Sequence, residues 1–259
     1  PGQRTHSDIK EVPSPSIGGH TYAVCFVDCF SRRGTVYPLK TLQGGEVVDC
    51  FRDYIEQCEL LGITVECPRA DNGSQYTSEE MMALCRSRRG PLGEPRLIKQ
   101  EFSPPYCQSA NGVAESFWRD TFRLVRPILW DQQRGSEYWV AALRFANWIR
   151  NRLARRAMPN NIPEILFTGK PVDLSKARVP LVTCYSYVDK DLREGVKTLA
   201  ERRHKMILVG YAADSACYQL YDPQGSRKQP VNRRYADVSF VGEPSHAPDG
   251  PMEVAVCDA

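Results

Sequence analysis

The sequence is poor in histidine and almost balanced in charge. Only four of its 259 residues are histidines, and 34 Lys and Arg side chains stand against 31 Asp and Glu, a formal net charge of +3. No CxxC pair occurs, and no histidine lies at zinc-ligand spacing from another ligand, so the usual zinc sites are excluded from this stretch of chain. There is no signal peptide and no run of 18 apolar residues, so no membrane span is predicted. We interpret the ten cysteines, several of them in or beside apolar runs, as reduced packing residues of an intracellular protein.

The length allows one or two domains with a sizeable core. The chain begins with Pro1-Gly2 and no methionine, so we expect a fragment or a processed product. The small positive charge permits nucleic-acid binding without arguing for it. Five arginines do fall within residues 144–156 (RFANWIRNRLARR). That pattern fits either the outer face of an amphipathic helix or a phosphate-binding surface.

The apolar pattern alternates between strand-like and helix-like periods, which is typical of an α/β protein. Strands are predicted at 5–10, 21–29, 35–39, 63–67 and 96–102, and helices at 46–61, from about 79, from about 112 and at 137–157. This order predicts a mixed five-stranded sheet with helices on its faces, in a first domain of residues 1–157. Short β-rich runs at 181–188, 206–211, 217–221 and 235–241 predict a linker and a small β-rich module over 158–243. We expect residues 244–259 to be a disordered tail.

Two acids lie where a ligand site is expected. Asp71 follows a predicted strand, and the ends of strands are where crevices form in open α/β sheets. Glu115 falls in the first turn of a predicted helix, where the helix dipole favours a carboxylate. Each also has an ordinary structural interpretation, because Asp-Asn-Gly is a common turn and Glu115 fits a capping residue. Two carboxylates alone hold a pair of Mg²⁺ ions poorly, so a third acid is needed.

Asp8 and Asp28 compete for the third position. If the first two strands pair as a hairpin, Asp8 faces roughly Ala23, and Asp28 lies about five residues further along, roughly 16 Å away at ~3.3 Å per residue. The two cannot share one site whose metal ions are about 3.5–4 Å apart. Asp8 lies on the first and central strand, beside the end of the strand that leads to Asp71. Asp28 instead runs into a Ser-Arg-Arg turn that it would cap or pair with, so we predict that Asp8 is the third acid.

Three arginines continue the helix face that begins with Glu115. Residues spaced by four, four and three share a face, so Arg119, Arg123 and Arg126 line up below the acid. A metal-binding acid beside phosphate-binding cations is what a site that cuts polynucleotides needs. The alternative is a capping acid on a solvated basic face.

Short segments, taken in order along most of the chain, resemble the integrases of copia-type LTR retrotransposons. They are Pro1-Gly2, HSD (6–8), FVDCFSR (26–32), RADNGSQY (69–76), FSPPY (102–106), NGVAE (111–115), NR (151–152), PEILFTGKP (163–171), CYSYV (184–188), LVGY (208–211) and YQLYD (218–222). Each segment alone is weak, but the ordered set, over roughly residues 1–243, is specific. The resemblance implies the ribonuclease H-like fold of retroviral integrases for the first domain and their terminal β-module for the second.

The resemblance also implies an activity. It is that of an integrase, which trims the 3′ ends of the element's DNA and joins them to target DNA by metal-dependent polynucleotidyl transfer. On this reading Asp8, Asp71 and Glu115 form a DDE triad that binds two Mg²⁺ or Mn²⁺ ions, with no zinc in this part of the chain. The implied partners are element-end and target DNA and further copies of the chain, without a membrane. The implied location is the nucleus, after a cytoplasmic particle.

The expected DNA contacts come from segments beside these acids, and in two places the sequence departs from the family. The contact residues are Asn72, Asn111, Gly112, Arg119, Arg123 and Arg126, with Tyr106 and Gln108 as contacts to target DNA. Residues 107–110 read Cys-Gln-Ser-Ala, where relatives usually have a Pro-Gln-Gln element. The separation between Asp71 and Glu115 is longer than usual, and we assign the surplus to residues 86–95. The family's zinc-binding head is expected upstream of Pro1.

Three alternatives stay open at this point. A decayed or domesticated relative would keep DNA binding without chemistry, and the two departures allow it. A ribonuclease H-like nuclease that cuts RNA–DNA hybrids would share the fold but not the ordered motifs after residue 163. A purely structural β-module protein would leave the three acids unexplained.

Overall fold

The structure, a computed structural model, describes residues 1–42, 45–71, 73–88, 97–102, 111–154, 161–187, 203–212, 216–225 and 229–240. The chain divides into two compact units, one of Pro1–Pro127 with Gly135–Pro171 and one of Ile128–Arg134 with Val172–Ala259. The domain bounds drawn from the sequence at 157 and 243 stay predictions. None of the helices within the described ranges is both long and apolar enough to cross a membrane.

The first unit holds a mixed sheet and most of the helical residues. Its strands are β1 (Arg4–Glu11), β2 (Tyr22–Asp28), β3 (Gly34–Leu39), β4 (Cys67–Ala70) and β5 (Glu101–Phe102), and the helices are α1 (Glu46–Leu60), α2 (Glu79–Ser87), α3 (Gly112–Asp131), α4 (Trp139–Arg152) and α5 (Pro163–Thr168). The end of α3, from Ile128, is counted with the second unit.

The sheet has the strand order β3-β2-β1-β4-β5, so β1 lies at its centre. β1 pairs antiparallel with β2 and parallel with β4, while β2 and β3 are antiparallel and β4 and β5 are parallel. β3 is an edge strand, a position that suits its Pro38 because proline cannot donate to a neighbouring strand. The mixed five-stranded sheet flanked by helices is therefore confirmed.

Three sequence predictions about the strands were wrong in detail. The predicted strand 63–67 overlaps β4 only at Cys67, and Ile63 and Val65 are buried before β4 without pairing as a strand. Of the predicted strand 96–102, the described part pairs only at β5. In the β1–β2 hairpin Asp8 lies opposite Cys25 rather than Ala23. The predicted end of the strand before Asp71 still holds, since β4 ends at the preceding residue.

The two faces of the sheet pack against different helices. On one face the ring of Phe26 lies 5.3 Å from that of Phe51 and 5.0 Å from that of Tyr54, both on α1. On the other side, Phe117 of α3 packs so closely on Gly34 that any Cβ at that glycine would collide with its ring. This contact explains a glycine at the start of β3, where the backbone needs no special conformation.

Asn151 of α4 holds the same edge of the sheet. Its side-chain oxygen accepts a hydrogen bond from the Gly34 N–H (3.0 Å), and its amide group donates one to the Gly34 carbonyl (2.8 Å). Asn151 is buried, so both polar ends of its side chain are satisfied by one glycine of β3.

Ser78 caps the start of α2 by accepting a hydrogen bond from the Met81 N–H (3.2 Å). Further contacts hold the described residues on both sides of positions 89–96. At the other end of α2, Arg88 lies 3.9 Å from Glu56 and 3.6 Å from Glu59 on α1. The chain is described again from residue 97, and the Ile98 N–H donates to the Cys85 carbonyl (3.0 Å).

The second unit is a β-rich module, as predicted. Its strands are β6 (Thr183–Tyr187), β7 (Arg203–Tyr211), β8 (Cys217–Tyr221), β9 (Val231–Arg234) and β10 (Val238–Phe240), in the order β10-β6-β7-β8-β9. All described pairs are antiparallel. Buried Tyr218 lies at its core, with the rings of Tyr235 and Phe240 4.4 and 5.3 Å away.

One predicted run of the second unit was wrong in part. Residues 235–237 of the run 235–241 form a short 3-10 turn between β9 and β10, not strand. The predicted disordered tail lies outside the described residues.

Candidate active site

Asp8 and Asp28 lie on opposite faces of the sheet. Asp8 pairs with Cys25 and Asp28 pairs with Thr5. Opposed residues share a face and successive residues alternate, so positions 5 and 8 point in opposite directions. Only about three residues, or ~10 Å, separate the two along the strands. The distance of roughly 16 Å estimated from the sequence was therefore too large. Asp28 is separated from Asp8 because the two side chains lie on opposite faces of the sheet.

Asp28 is occupied by its own turn, as the sequence indicated. Its side chain is fully buried. One carboxylate oxygen accepts a hydrogen bond from the Gly2 N–H, and the other accepts from both the N–H and the hydroxyl of Ser31, each at 2.7 Å. A carboxylate with these three donors is a structural group that ties the chain start to the β2–β3 turn.

Asp71 follows β4 on the face that carries Asp8. His6 pairs with Arg69 across the parallel strands β1 and β4. Because side chains alternate along each strand, Asp8 and Asp71 continue the face of His6 and Arg69. Asp71 is exposed, and one of its oxygens accepts a hydrogen bond from the Gly73 N–H at 3.1 Å. Its carboxylate thus lies at the open end of β4 and stays accessible.

Glu115 lies in the first turn of α3 and is exposed. The helix begins at Gly112, as the sequence predicted. The buried Ala114, Phe117 and Trp118 next to it fix that turn against the core. Glu115 therefore projects from a rigid helix start rather than from a loop.

The charges of Asp71 and Glu115 act on Asp8. Burial, together with the negative charges of Asp71 and Glu115, raises the pKa of Asp8 from its usual 3.8 to about 6. Coulomb interactions fall off with distance, so a contribution from both acids means that all three lie in one region. The carboxylates come from β1, the end of β4 and the start of α3.

The donor chemistry of this group fits a hard divalent cation. Mg²⁺ and Mn²⁺ favour carboxylate oxygens, and a cation would offset the repulsion that, after burial, helps to raise the pKa of Asp8. Among the described residues, no three His, Cys, Asp or Glu side chains already stand close enough to form a finished metal site. The three acids therefore share one region without forming a finished metal site.

The three arginines of α3 form an exposed stripe that begins at Glu115. Arg119, Arg123 and Arg126 are all exposed, as the helical spacing predicted. Arg119 donates a hydrogen bond to the Ser116 hydroxyl at 3.2 Å. Guanidinium groups at such an accessible helix face can meet phosphate oxygens two at a time.

Two arginines of α4 do not fit a phosphate-binding surface, whereas Arg144 of the same helix is exposed. Arg150 is buried, donates to the Arg32 carbonyl at 2.9 Å and lies over the Phe117 ring at 4.4 Å. Arg152 lies 3.9 Å from Glu164 of α5. Within the described part of 144–156, these two arginines hold the helices together.

Asn111 is buried between β1 and α3. Its amide group donates to the Ser7 carbonyl at 2.9 Å, so its oxygen is left to accept from His6 Nδ1 at 3.3 Å. Burial lowers the pKa of His6, which favours this neutral form of the ring. The structure therefore places Asn111 inside the fold, and a DNA contact by it stays a prediction, as does one by Gly112.

Sequence reasoning missed one further group beside the acids. The hydroxyls of Ser7 and Tyr76 share a hydrogen bond of 2.7 Å, and both residues are buried. No sequence pattern predicts a hydrogen bond between a serine in a strand and a tyrosine in a distant turn. The predicted contacts Asn72, Tyr106 and Gln108, and the departure at 107–110, lie outside the described residues.

Comparison with known proteins gives relatives of one kind. No protein-family model matches the chain. It is 31% identical over 226 residues to the retrovirus-related Pol polyprotein from transposon TNT 1-94 of Nicotiana tabacum, over 87% of this chain and 16% of the relative. It is 26% identical over 227 residues to the corresponding polyprotein from transposon RE2 of Arabidopsis thaliana, over 87% of this chain and 15% of the relative. The chain thus spans only about a sixth of the length of these relatives.

Among solved structures, a chain of the simian T-cell lymphotropic virus intasome in complex with PP2A regulatory subunit B56 gamma matches 93% of this chain and 78% of its own length. The TM-score is 0.51 and the identity 16%, a likeness of fold alone. The catalytic core domain of BIV integrase matches 64% of this chain and 94% of its own, with a TM-score of 0.49 and 20% identity.

Proposed function

We propose that the chain, which belongs with the integrase core of copia-type retrotransposon Pol polyproteins, carries out metal-dependent polynucleotidyl transfer on DNA. The reaction has two parts, trimming of the element's 3′ ends by water and attack of the resulting 3′-hydroxyls on target DNA. Both are in-line displacements at phosphorus, so no covalent enzyme intermediate and no nucleophilic side chain are needed.

One observation carries the proposal. Acids from three separate elements lie in one region, where the charges of Asp71 and Glu115 add to the burial that raises the pKa of Asp8 to about 6. A fold gains nothing in stability from placing two like charges near a partly buried third, because their repulsion opposes folding. Such a cluster, next to exposed guanidinium groups, supports a site for a cation and a phosphate backbone.

Asp8, Asp71 and Glu115 would hold the divalent cations, Mg²⁺ or Mn²⁺. When bound, these ions lower the pKa of the attacking hydroxyl and stabilise the leaving oxygen. The chain's own contribution is position. Asp8 is fixed by the central strand, Glu115 by the first turn of α3, and Asp71 by its hydrogen bond to the Gly73 N–H.

Arg119 and Arg123 would bind the backbone of the donor DNA. Their exposure along α3 below Glu115 leaves both guanidinium groups free to meet phosphates without disturbing the core. Joining two DNA ends requires two active sites, so we further propose a homo-oligomer on DNA that acts in the nucleus. The likeness to a chain of an intasome is consistent with such an assembly.

The test is strand transfer of a short labelled duplex into plasmid DNA with Mg²⁺ or Mn²⁺. The chain and its Glu115→Gln variant are compared, and the reverse reaction, disintegration of a branched DNA, is run alongside because it needs less assembly. We expect product from the parent and none from the variant. If neither gives product while DNA binding is intact, in this chain and in one with the upstream head, the activity is absent and the decayed relative becomes the better interpretation.

A further inference from the structure

Four buried polar side chains lie behind the acids. His6, Ser7, Tyr76 and Asn111 are 4%, 2%, 4% and 7% exposed. At such positions water cannot replace a lost partner, so each hydrogen bond that they make is costly to break. A network of this kind fixes the relative positions of the segments that it joins.

Ser7 is the residue at which the network's arms meet. Its carbonyl accepts the hydrogen bond from the Asn111 amide at 2.9 Å, and its hydroxyl shares the 2.7 Å bond with Tyr76. One residue of β1 is thus tied to the start of α3 by its main chain and to the segment after β4 by its side chain.

Each of the three joined segments carries one of the acids. Ser7 immediately precedes Asp8 in β1. Asn111 lies one helical turn before Glu115, and Tyr76 follows Asp71 in the turn that leads to α2. The distances among the three carboxylates therefore depend on bonds that converge on Ser7.

We propose that Ser7 is a positioning residue, which through Tyr76 and Asn111 fixes the relative positions of the segments that carry the three acids, so that a divalent cation can bind all three. This inference rests on the proposed function, because it needs the acids to bind a cation. Ser7 and Tyr76 would touch neither the cation nor DNA. Their effect would reach the site through the placement of Asp8 and Asp71.

The same strand offers a matched control. Thr5 lies two residues before Ser7 on the same face of β1, is fully buried, and its hydroxyl lies 3.4 Å from that of buried Tyr54. Tyr54 belongs to α1, which carries none of the three acids. Tyr76→Phe and Tyr54→Phe each remove one buried tyrosine hydroxyl paired to β1, but only Tyr76→Phe frees a segment of the site.

The experiment measures Mn²⁺ binding to the full chain by calorimetry, together with the Mn²⁺ dependence of disintegration. The proteins are the parent, Tyr76→Phe, Tyr54→Phe, Ser7→Ala and the double variant Ser7→Ala/Tyr76→Phe, each with its urea unfolding midpoint. Glu115→Gln is included to show that the measured Mn²⁺ binds at the acids.

We expect Tyr76→Phe and Ser7→Ala to raise the Kd for Mn²⁺ about 10-fold, the lower end of the effect of residues that orient metal ligands. Tyr54→Phe should keep the parent's Kd at a similar loss of stability. The double variant should bind Mn²⁺ no more weakly than the weaker-binding single variant, because both changes remove the same hydrogen bond between Ser7 and Tyr76. Added Mn²⁺ should restore disintegration by Tyr76→Phe.

Two results would overturn the inference while leaving the proposed function intact. One is a parent-like Kd in Tyr76→Phe and Ser7→Ala. The other is an equal rise in Tyr54→Phe, which would mean general loosening of the sheet. A third result would contradict the proposed function itself, and this inference with it. In that result the parent binds no Mn²⁺, or binds Mn²⁺ that Glu115→Gln does not affect.

Discussion

Two aspartates on neighbouring strands should respond in opposite ways to the loss of their charge. Asp28 accepts three hydrogen bonds inside the fold, and an asparagine has only one acceptor oxygen for them. If its amide group replaces the oxygen that faces Gly2, that N–H loses its partner, at about 1–3 kcal/mol. The two bonds from Ser31 would also lose their charge assistance. We expect Asp28→Asn to lower the free energy of unfolding by about 2–4 kcal/mol in total.

Asp8→Asn should instead raise the free energy of unfolding of the metal-free protein. The folded state raises the pKa of Asp8 from 3.8 to about 6. The folded chain therefore binds more protons than the unfolded chain between these values, so the parent's stability falls as pH rises through that window. At about 1.36 kcal/mol per pKa unit, the charge costs at most ~3 kcal/mol at pH 7. An asparagine removes that cost, so we expect a gain of about 1–3 kcal/mol at pH 7 that fades towards pH 4.

The assay is urea unfolding of the parent and both variants with a chelator at pH 4.5 and pH 7, followed by disintegration of branched DNA with Mn²⁺. The variants should separate in both measurements. Asp8→Asn should be the more stable protein and inactive. Asp28→Asn should be the less stable one, and should retain activity at temperatures where it is folded.

The reasoning fails if the two variants change stability in the same direction. It also fails if Asp28→Asn abolishes disintegration in a sample shown to be folded. That result would move the third acid from one face of the sheet to the other.

Three further predictions concern DNA, packing and metal. Arg119→Ala should weaken binding of all duplex sequences alike and lower the slope of log Kd against log salt by about one unit. The control is Arg52→Ala on α1, where Arg52 is exposed and paired with Asp49. It should change neither the affinity nor the slope. Gly34→Ala should destabilise the protein by about 1–3 kcal/mol because its Cβ meets the Phe117 ring. Gly112→Ala has open space around its Cβ and should cost no stability. The urea unfolding midpoints of the two variants check this difference. Chelation of divalent metal should abolish strand transfer without unfolding the protein, measured by circular dichroism, and unfolding on chelation would show that the metal is structural.

The sequence predicted the elements better than it predicted their pairing. Helix α1 and strands β1 to β3 follow the local apolar pattern and match the structure to within a residue or two. The strand before Asp71 was misplaced because Ile63 and Val65 are apolar and β-branched, which favours a strand. In the structure they are buried as irregular chain. Pro68, which argues against a central strand, lies inside β4 opposite Thr5.

Asp71 and Glu115 were accessible to sequence reasoning because each follows a local signal, the end of a strand and the start of a helix, whereas Asp8 was chosen by comparing its strand position with that of Asp28. The supports of these acids were not accessible. The bond between Ser7 and Tyr76 joins residues 69 positions apart, and the two-residue slip in the β1–β2 register depends on how the long connection between these strands is folded. Both are set by tertiary packing, for which the sequence carries no local signal.

The ties at Arg88 and Ile98 separate the length of the intervening segment from the geometry of the acids. One end is fixed to α1 through Glu56 and Glu59, and the other to the Cys85 carbonyl. The described residues on both sides of positions 89–96 thus have contacts of their own, which do not depend on what lies between them. An epitope or a fluorescent reporter grafted there should let the protein be followed in cells without retuning its chemistry.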